Sequence, residues 1–484
     1  MSPLVLVTAI PLVAVLLSRL PLDRRLPFAV TLVAAAANLV LAVRLALRVV
    51  AEHEVVAIRD WVALDGLGAT LLLLTTFVAT TAALFSGGYV ATHERELRRV
   101  CSYFTQFNLF VFALVLVPVL AEPALVWIAV EFTAVFSVLL VGFDRSQAAL
   151  EAAWKYIALM FMGAAIALLG FFLLFWAQDL VGSGAPYSWS GLRAAAPAMP
   201  PTLTTAAFLL VLVGFGVKVG LVPMHTWLPD AHSQAPSPVC ALLSGVKTTT
   251  ALYAILRLGS LLPLAAMRSW MPAVGLLSVG VAAFLLLQVR DYKRLFAYST
   301  VEHMGIIVTA TGLGVTAGAH GAMLQMINHS LTKSFCFFAA GAALLAVGTR
   351  EIAAVQGLIR TSPAAGAALL LGALAIGGAP PFAVFLSEFS IFRAGLGARQ
   401  YVVTGLLVTF VTVAFFGILM HVNRMVFGRP ATPVGHDERR LPVTCLMTLV
   451  LAAIPVVALG VYEPRWVDAL VHLAAADLLP GAPP

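Results

Sequence analysis

The feature that most constrains this chain is a train of apolar runs, each long enough to cross a bilayer, recurring from one end to the other. A membrane helix needs about 20 mostly apolar residues, because the hydrocarbon core is about 30 Å thick and a helix rises about 1.5 Å per residue. Such runs lie near 3–19, 26–50, 64–91, 103–121, 123–143, 149–176, 204–232, 236–258, 271–289, 295–316, 319–348, 364–397, 402–427 and 442–462. That is about fourteen in all, with ends good to about 3 residues. The expected fold is therefore an all-α polytopic membrane protein. Composition agrees: 61% of the 484 residues are apolar and 11% are charged, against about 45–50% and about 25% in a soluble domain. Intrinsic disorder is excluded on the same ground, and four isolated cysteines do not make a disulfide scaffold. Arg19, Asp23, Arg24 and Arg25 follow the first run, so it reads as a retained helix and not as a cleaved signal.

The formal charge of +7 would suggest a nucleic-acid partner in a soluble protein. Here most arginines fall in short loops, where the positive-inside rule accounts for them. The loops after odd-numbered runs hold sixteen bases, and the opposite side with the C-terminus holds nine. The sequence thus predicts a plasma-membrane protein with cytoplasmic odd loops and both termini on the non-cytoplasmic side. Four of the 29 bases remain, and all are lysines inside runs: Lys155, Lys218, Lys247 and Lys333. An ionisable group in a span costs at least about 2.5–3.5 kcal/mol and usually faces the bundle interior or a water-filled cavity. Lysine, unlike arginine, readily exchanges its proton when buried. Snorkelling is the alternative for Lys155, which lies near the start of its run. It is a poor account of Lys218 and Lys333, deep inside theirs.

Other ionisable groups accompany them. Glu131 lies mid-run, Glu302 and His303 share one run, and His329 and Lys333 are four residues apart on one helix face, with Gln325 and Asn328 nearby. Glu388 and His421 lie in the next two runs, although a lone buried histidine such as His421 is more often structural. Acid, amine and imidazole recurring from run to run is the pattern of a hydrated proton path. Two runs are interrupted: Pro223 follows Lys218 by about one turn, close to His225, and Pro380-Pro381 precede Glu388 by about two. Proline frees backbone carbonyls that must be satisfied in protein or at a cavity, and paired broken helices mark ion sites in transporters.

No CxxC pair, Walker-type loop or dinucleotide fingerprint is present. The expectation is no cofactor and no metal site, with any redox chemistry belonging to partner subunits.

The stretch Lys218-Val-Gly-Leu-Val-Pro-Met-His-Thr-Trp-Leu-Pro-Asp-Ala-His232 resembles the proton-conducting antiporter-like subunits of complex I and its relatives. So do Pro236-Ser-Pro-Val239, Asp291-Tyr-Lys-Arg294 running on to Gly305, Asn328-His329 with Lys333, and Gly378-Ala-Pro-Pro-Phe382. His232-Ser-Gln-Ala-Pro-Ser-Pro238 with Ser387-Glu388-Phe389 is most similar to membrane component F of the hydrogenase-4 type. The resemblance implies fourteen helices, with helices seven and twelve broken at Pro223 and at Pro380 and Pro381. It divides the chain into 1–100 (helices 1–3), 101–264 and 265–430 (two inverted five-helix repeats) and 431–484 (helix 14 and a tail). It further implies a relay in which Glu131 pairs with Lys218, Lys333 acts with His329, and Glu388 is the terminal site. Lys155, His225, Glu302, His303 and His421 are further candidates. One position departs from the family pattern: Thr249 stands where a lysine is usual, and the nearest base is Lys247. Two residues are about 200° of helix rotation, so Lys247 can serve only if the helix is locally unwound.

The implied role is ion translocation, for protons, in a multisubunit complex with a peripheral hydrogenase-like or complex-I-like redox module. The alternatives are a subunit of a multisubunit sodium/proton antiporter or of complex I itself, and, from another class, a non-conducting scaffold whose buried charges are structural.

Overall fold

The computed structural model describes residues 2–58, 61–182, 184–429 and 440–479. Arg59 and Arg439, both counted for orientation, and the boundary at 430/431 lie outside these residues.

Every apolar run falls on a helix or on a broken pair of helices. The chain opens with α1 (Pro3–Ser18) and α2 (Arg25–Glu52), then a hairpin of β1 (Val55–Ile58) and β2 (Val62–Leu64). There follow α3 (Gly66–His93), α4 (Leu97–Leu116), α5 (Pro123–Val141), α6 (Gln147–Asp179) and a short α7 (Trp189–Ala195). The seventh run divides into α8 (Pro201–Val219) and α9 (Trp227–Gln234), and the eighth into α10 (Ser237–Leu242) and α11 (Thr248–Gly259). Then come α12 (Leu264–Leu286), α13 (Tyr292–Gly312), α14 (Thr316–Val347) and a single turn, α15 (Leu358–Thr361). The twelfth run divides into α16 (Pro363–Ile376) and α17 (Ala383–Gly397), before α18 (Tyr401–Phe427) and α19 (Val443–Val461). Eleven helices among the described residues are long and apolar enough to cross a membrane, while α1 and α16 are apolar but shorter. The tail adds α20 (Arg465–Ala476), a helix with one apolar face that packs on α3 and α14. At 12 residues it is too short to span, and no apolar run of bilayer length marks it.

Side-chain caps set several starts. Asp65 Oδ1 accepts from Gly68 N at the head of α3 (2.9 Å), and Asp291 Oδ1 accepts from Lys293 N and Arg294 N at the head of α13 (2.7 and 3.1 Å). Each satisfies amide groups that a helix end leaves unpaired. The first break begins where α8 ends on Gly220 at φ +85°, and the second has Gly378 at φ +76° between α16 and α17. Only glycine takes that left-handed conformation without a Cβ clash. At Gly378 there is also no room for one, since a Cβ would collide with the Glu388 carboxylate.

Burial sorts the helices. α10, α11, α13 and most of α14 are enclosed, whereas α1, α2, α18 and α19 present apolar side chains outward. In water an exposed apolar surface of this extent would mark an interface; around a bundle of membrane helices it is the surface that meets lipid.

Candidate functional site

Breaking a helix leaves carbonyls without intrahelical donors, and the first break uses them as ligands. Gly216 O takes Gly220 N and Leu221 N, both at 2.9 Å. Val217 O accepts from Trp227 Nε1 at 2.6 Å, and Lys218 O accepts from Lys247 Nζ at 3.3 Å. The last turn of α8 therefore places the Lys218 ammonium, which is fully buried, against Glu131 of α5, with Nζ 3.0 Å from Oε1 and 3.1 Å from Oε2.

Lys247 ends a five-residue π turn, Leu243–Lys247, between α10 and α11. This is the local unwinding that a lysine at 247 requires. The turn points its ammonium at Lys218 O and Met160 Sδ (3.3 Å each), and over the rings of Trp227 (4.3 Å) and Tyr156 (5.0 Å). Ring faces take the place of a carboxylate here. Thr249 turns back on its own helix and donates to Val246 O (2.7 Å).

The same π turn carries the line onward. Ser244 O accepts from Thr248 Oγ1 (2.7 Å) and from His329 Nε2 (3.2 Å), and Ser244 Oγ meets Thr300 Oγ1 at 2.6 Å. The His329 ring lies 5.2 Å from that of His303. His303 Nε2 donates to Ile376 O (3.0 Å), a carbonyl at the second break, while Gln325 Nε2 donates to its Nδ1 (3.0 Å). Both bonds require the neutral imidazole with its proton on Nε2. Ser387 Oγ donates to Gln325 Oε1 at 2.5 Å, and the next residue is Glu388, buried beside Gly378. Lys333, one turn from His329 and fully buried, donates to Ser299 Oγ (2.5 Å) and Phe296 O (3.3 Å). Glu302 is buried nearby with Oε2 unpartnered, as is Nδ1 of His329.

Other expected residues lie apart. Lys155 is half-exposed near the start of α6, paired with Glu151 (2.6 Å) and Asp230 (3.6 Å). It is a surface ion pair and no part of the buried line, because it lies early enough in the helix for its stem to reach outward. His225 sits in the first break, its ring 6.4 Å from Tyr298 and its Nδ1 unpartnered. His421 donates to Leu286 O (3.1 Å), where α12 ends. Two of the bases counted in the loops for orientation, Lys293 and Arg257, lie instead inside helices. Lys293 is buried in the first turn of α13, donating to Ser233 O (3.2 Å) and Ala235 O (2.5 Å). Arg257 is buried in α11 against Asp65 (2.6 Å) and the rings of Tyr253 and Trp189. Four of the five lysines are indeed buried, but the exposed one is Lys155 and not Lys293. Ser244, Ser299, Thr300, Ser387 and Gln325 contact the ionisable groups or one another. Gln325 stood out in the sequence only as a polar neighbour, Ser299, Thr300 and Ser387 only as parts of motifs, and Ser244 not at all, since hydroxyls and amides scattered through apolar runs carry no distinctive spacing.

Cavities open at both ends of the bundle. One of about 630 Å³ on the odd-loop face is lined by His93, Asp144, Gln234, Lys293 and Arg350. One of about 510 Å³ on the opposite face is lined by Glu54, Asp65, Arg193, Arg257 and Asp477.

A multi-pass helical bundle with two interrupted helices, crossed by buried Glu, Lys and His, is the architecture of the antiporter-like membrane subunits. Within that class the chain belongs to the family described as NADH:quinone oxidoreductase/Mrp antiporter, transmembrane, which it matches over residues 122–416. A hydrogenase-4 component F homolog of Methylacidiphilum infernorum (isolate V4) is 38% identical over 423 residues, covering 84% of this chain and 87% of that one. Two solved complexes contain chains of the same fold. In the membrane-bound sulfane sulfur reductase, an archaeal respiratory membrane complex, one superimposes with a TM-score of 0.86 at 24% identity, over 99% of this chain and 98% of that one. In the Mrp complex from Dietzia sp. DQ12-45-1b the TM-score is 0.85 at 21% identity, over 99% and 97%.

Proposed function

We propose that this chain is the proton-translocating subunit of a hydrogenase-type, complex-I-like assembly in the plasma membrane, with both termini on the non-cytoplasmic side. The observation that carries this reading is the buried polar line that runs from Glu131–Lys218 to Lys247 and, from Ser244 in the same π turn, on through His329, His303 and Gln325 to Ser387–Glu388. It touches both helix breaks. The segments 101–264 and 265–430 then act as two similar halves, each built around one break. The name of the 38% identical relative supports a hydrogenase-type parent complex, whose peripheral module would supply the redox chemistry.

The proposed mechanism is electrostatic. Protonation of one group changes the field at the next, and in a low-dielectric interior charges a few ångströms apart couple by several kcal/mol. Between Glu131 and Glu388 the side chains of the line are amines, imidazoles, hydroxyls and an amide, with the backbone carbonyls of Lys218 and Ser244 as acceptors between them. Such side chains exchange or relay protons, whereas a sodium ion needs a cage of oxygen ligands.

The test is ion uptake by inverted membrane vesicles carrying the assembled complex, followed with a pH-sensitive dye and, separately, with a sodium tracer. Lys218→Ala and Glu131→Gln each abolish dye quenching under this reading. Unchanged quenching in an assembled complex would favour the scaffold reading, and sodium uptake without proton uptake would favour the sodium/proton antiporter.

A further inference from the structure

At one end of the bundle, away from the buried line, three potential metal ligands converge. His320 belongs to the first turns of α14, while Asp468 and His472 lie four residues apart on α20. The Nε2 atoms of His320 and His472 face the same Asp468 Oδ1, at 3.9 and 3.4 Å, and the two rings lie 4.6 Å apart between centroids. One ligand atom from each residue lies within 4.8 Å of the others, and this is the only such trio among the described residues. His320 Nε2 is buried and has no hydrogen-bond partner.

These separations are informative. An imidazole sharing a proton with a carboxylate closes to about 2.7–3.2 Å, and neither histidine has done so. Ligands about 2.0–2.2 Å from a tetrahedral ion lie about 3.3 Å apart. Of the three gaps, that between His472 and Asp468 already matches, that between His320 and Asp468 closes with a movement of about half an ångström, and that between the two histidines, at most 4.8 Å, closes with about 1.5 Å or less. Two imidazoles with one carboxylate select a borderline first-row ion and reject calcium or magnesium, which take all-oxygen sites. The His472 side chain is 61% exposed, which leaves room for a water as fourth ligand.

We propose that His320, Asp468 and His472 form a zinc site that ties the C-terminal helix α20 to the start of α14. No spacing in the sequence announces it, because one ligand comes from a membrane helix and two from the tail. The relay reading of the buried line is not required.

The test uses the full chain, purified in detergent, stripped with a chelator and titrated with zinc chloride against a chromogenic zinc indicator. The expected result is one zinc per chain, a tetrahedral d–d spectrum when cobalt(II) replaces zinc, and a rise in the unfolding midpoint on adding zinc. Binding should weaken at least about tenfold in His320→Ala and in His472→Gln. His472→Gln alters a largely exposed side chain, so its result stands even if His320→Ala fails to fold. No stoichiometric zinc in the wild type, or equal affinity in wild type and His472→Gln, overturns the proposal.

Discussion

Moving the ammonium of Lys247 two residues along its helix, in the double variant Lys247→Thr with Thr249→Lys, tests whether the π turn is what makes the departure from the family pattern workable. In the native chain that ammonium has Lys218 O at 3.3 Å and the faces of Trp227 and Tyr156 at 4.3 and 5.0 Å. A charge-assisted hydrogen bond contributes about 1.5–3 kcal/mol, and a desolvated cation–π contact about 2 kcal/mol. Allowing for overlap between the two rings, the position is worth about 4–5 kcal/mol to a charged lysine. Residue 249 points about 200° away and meets none of these partners. At about 1.4 kcal/mol per decade, occupancy of the relay position by an ammonium falls about a thousandfold. Proton uptake by inverted vesicles should then fall to the leak rate in the double variant, as it should in Lys247→Ala. Native gel electrophoresis of the complex verifies assembly. Uptake at the wild-type rate by the assembled double variant would refute the argument, because it would mean that the helix face presented by the π turn does not matter.

Four further outcomes follow from the same geometry. Glu131→Gln leaves the Lys218 ammonium buried without its partner and should destabilise the protein by about 3 kcal/mol; adding Lys218→Met should recover most of that loss in the unfolding midpoint without restoring uptake. Gln325→Leu cuts the bridge between His303 and Ser387, so uptake should drop strongly while assembly persists, as vesicle assays and native gels would reveal. His421→Leu loses one hydrogen bond, to Leu286 O, at a cost of about 1 kcal/mol, and its uptake should stay within about twofold of wild type. Asp477, outside the spans, is pushed up to about 6, first by burial and then by the charge of Asp65. Its folded form holds a proton that the unfolded chain releases above about pH 4, so this group favours folding at low pH and the contribution fades as pH rises through about 6. The unfolding midpoint of Asp477→Asn, scanned from pH 4 to 7, should lack that decline.

The sequence by itself determined that this is a bundle of membrane helices, because apolar runs of bilayer length leave the chain no other way to satisfy its backbone. It also marked both breaks, since Pro223 and Pro380-Pro381 each remove a backbone donor close to a glycine, Gly220 and Gly378, whereas the lone prolines Pro11, Pro272 and Pro455 stay within their helices. It singled out Lys218, Lys333, Glu131 and Glu388, since a charge deep in such a run must have a use or a partner. The family resemblance implied the pairing of Glu131 with Lys218, and tertiary structure decided which of the other buried groups meet. The π turn that aims Lys247 is a change in hydrogen-bond register to which residue type is nearly indifferent. Whether Lys155 or Lys293 is buried depended on what covers each helix start, and in Lys293 it was the loop from α9 to α10. The hydroxyls and the amide that join the line, and the meeting of His320 with Asp468 and His472, depend on contacts between elements distant in the chain. A membrane helix records in its sequence that it is buried in lipid or protein; which neighbour it faces is fixed by packing.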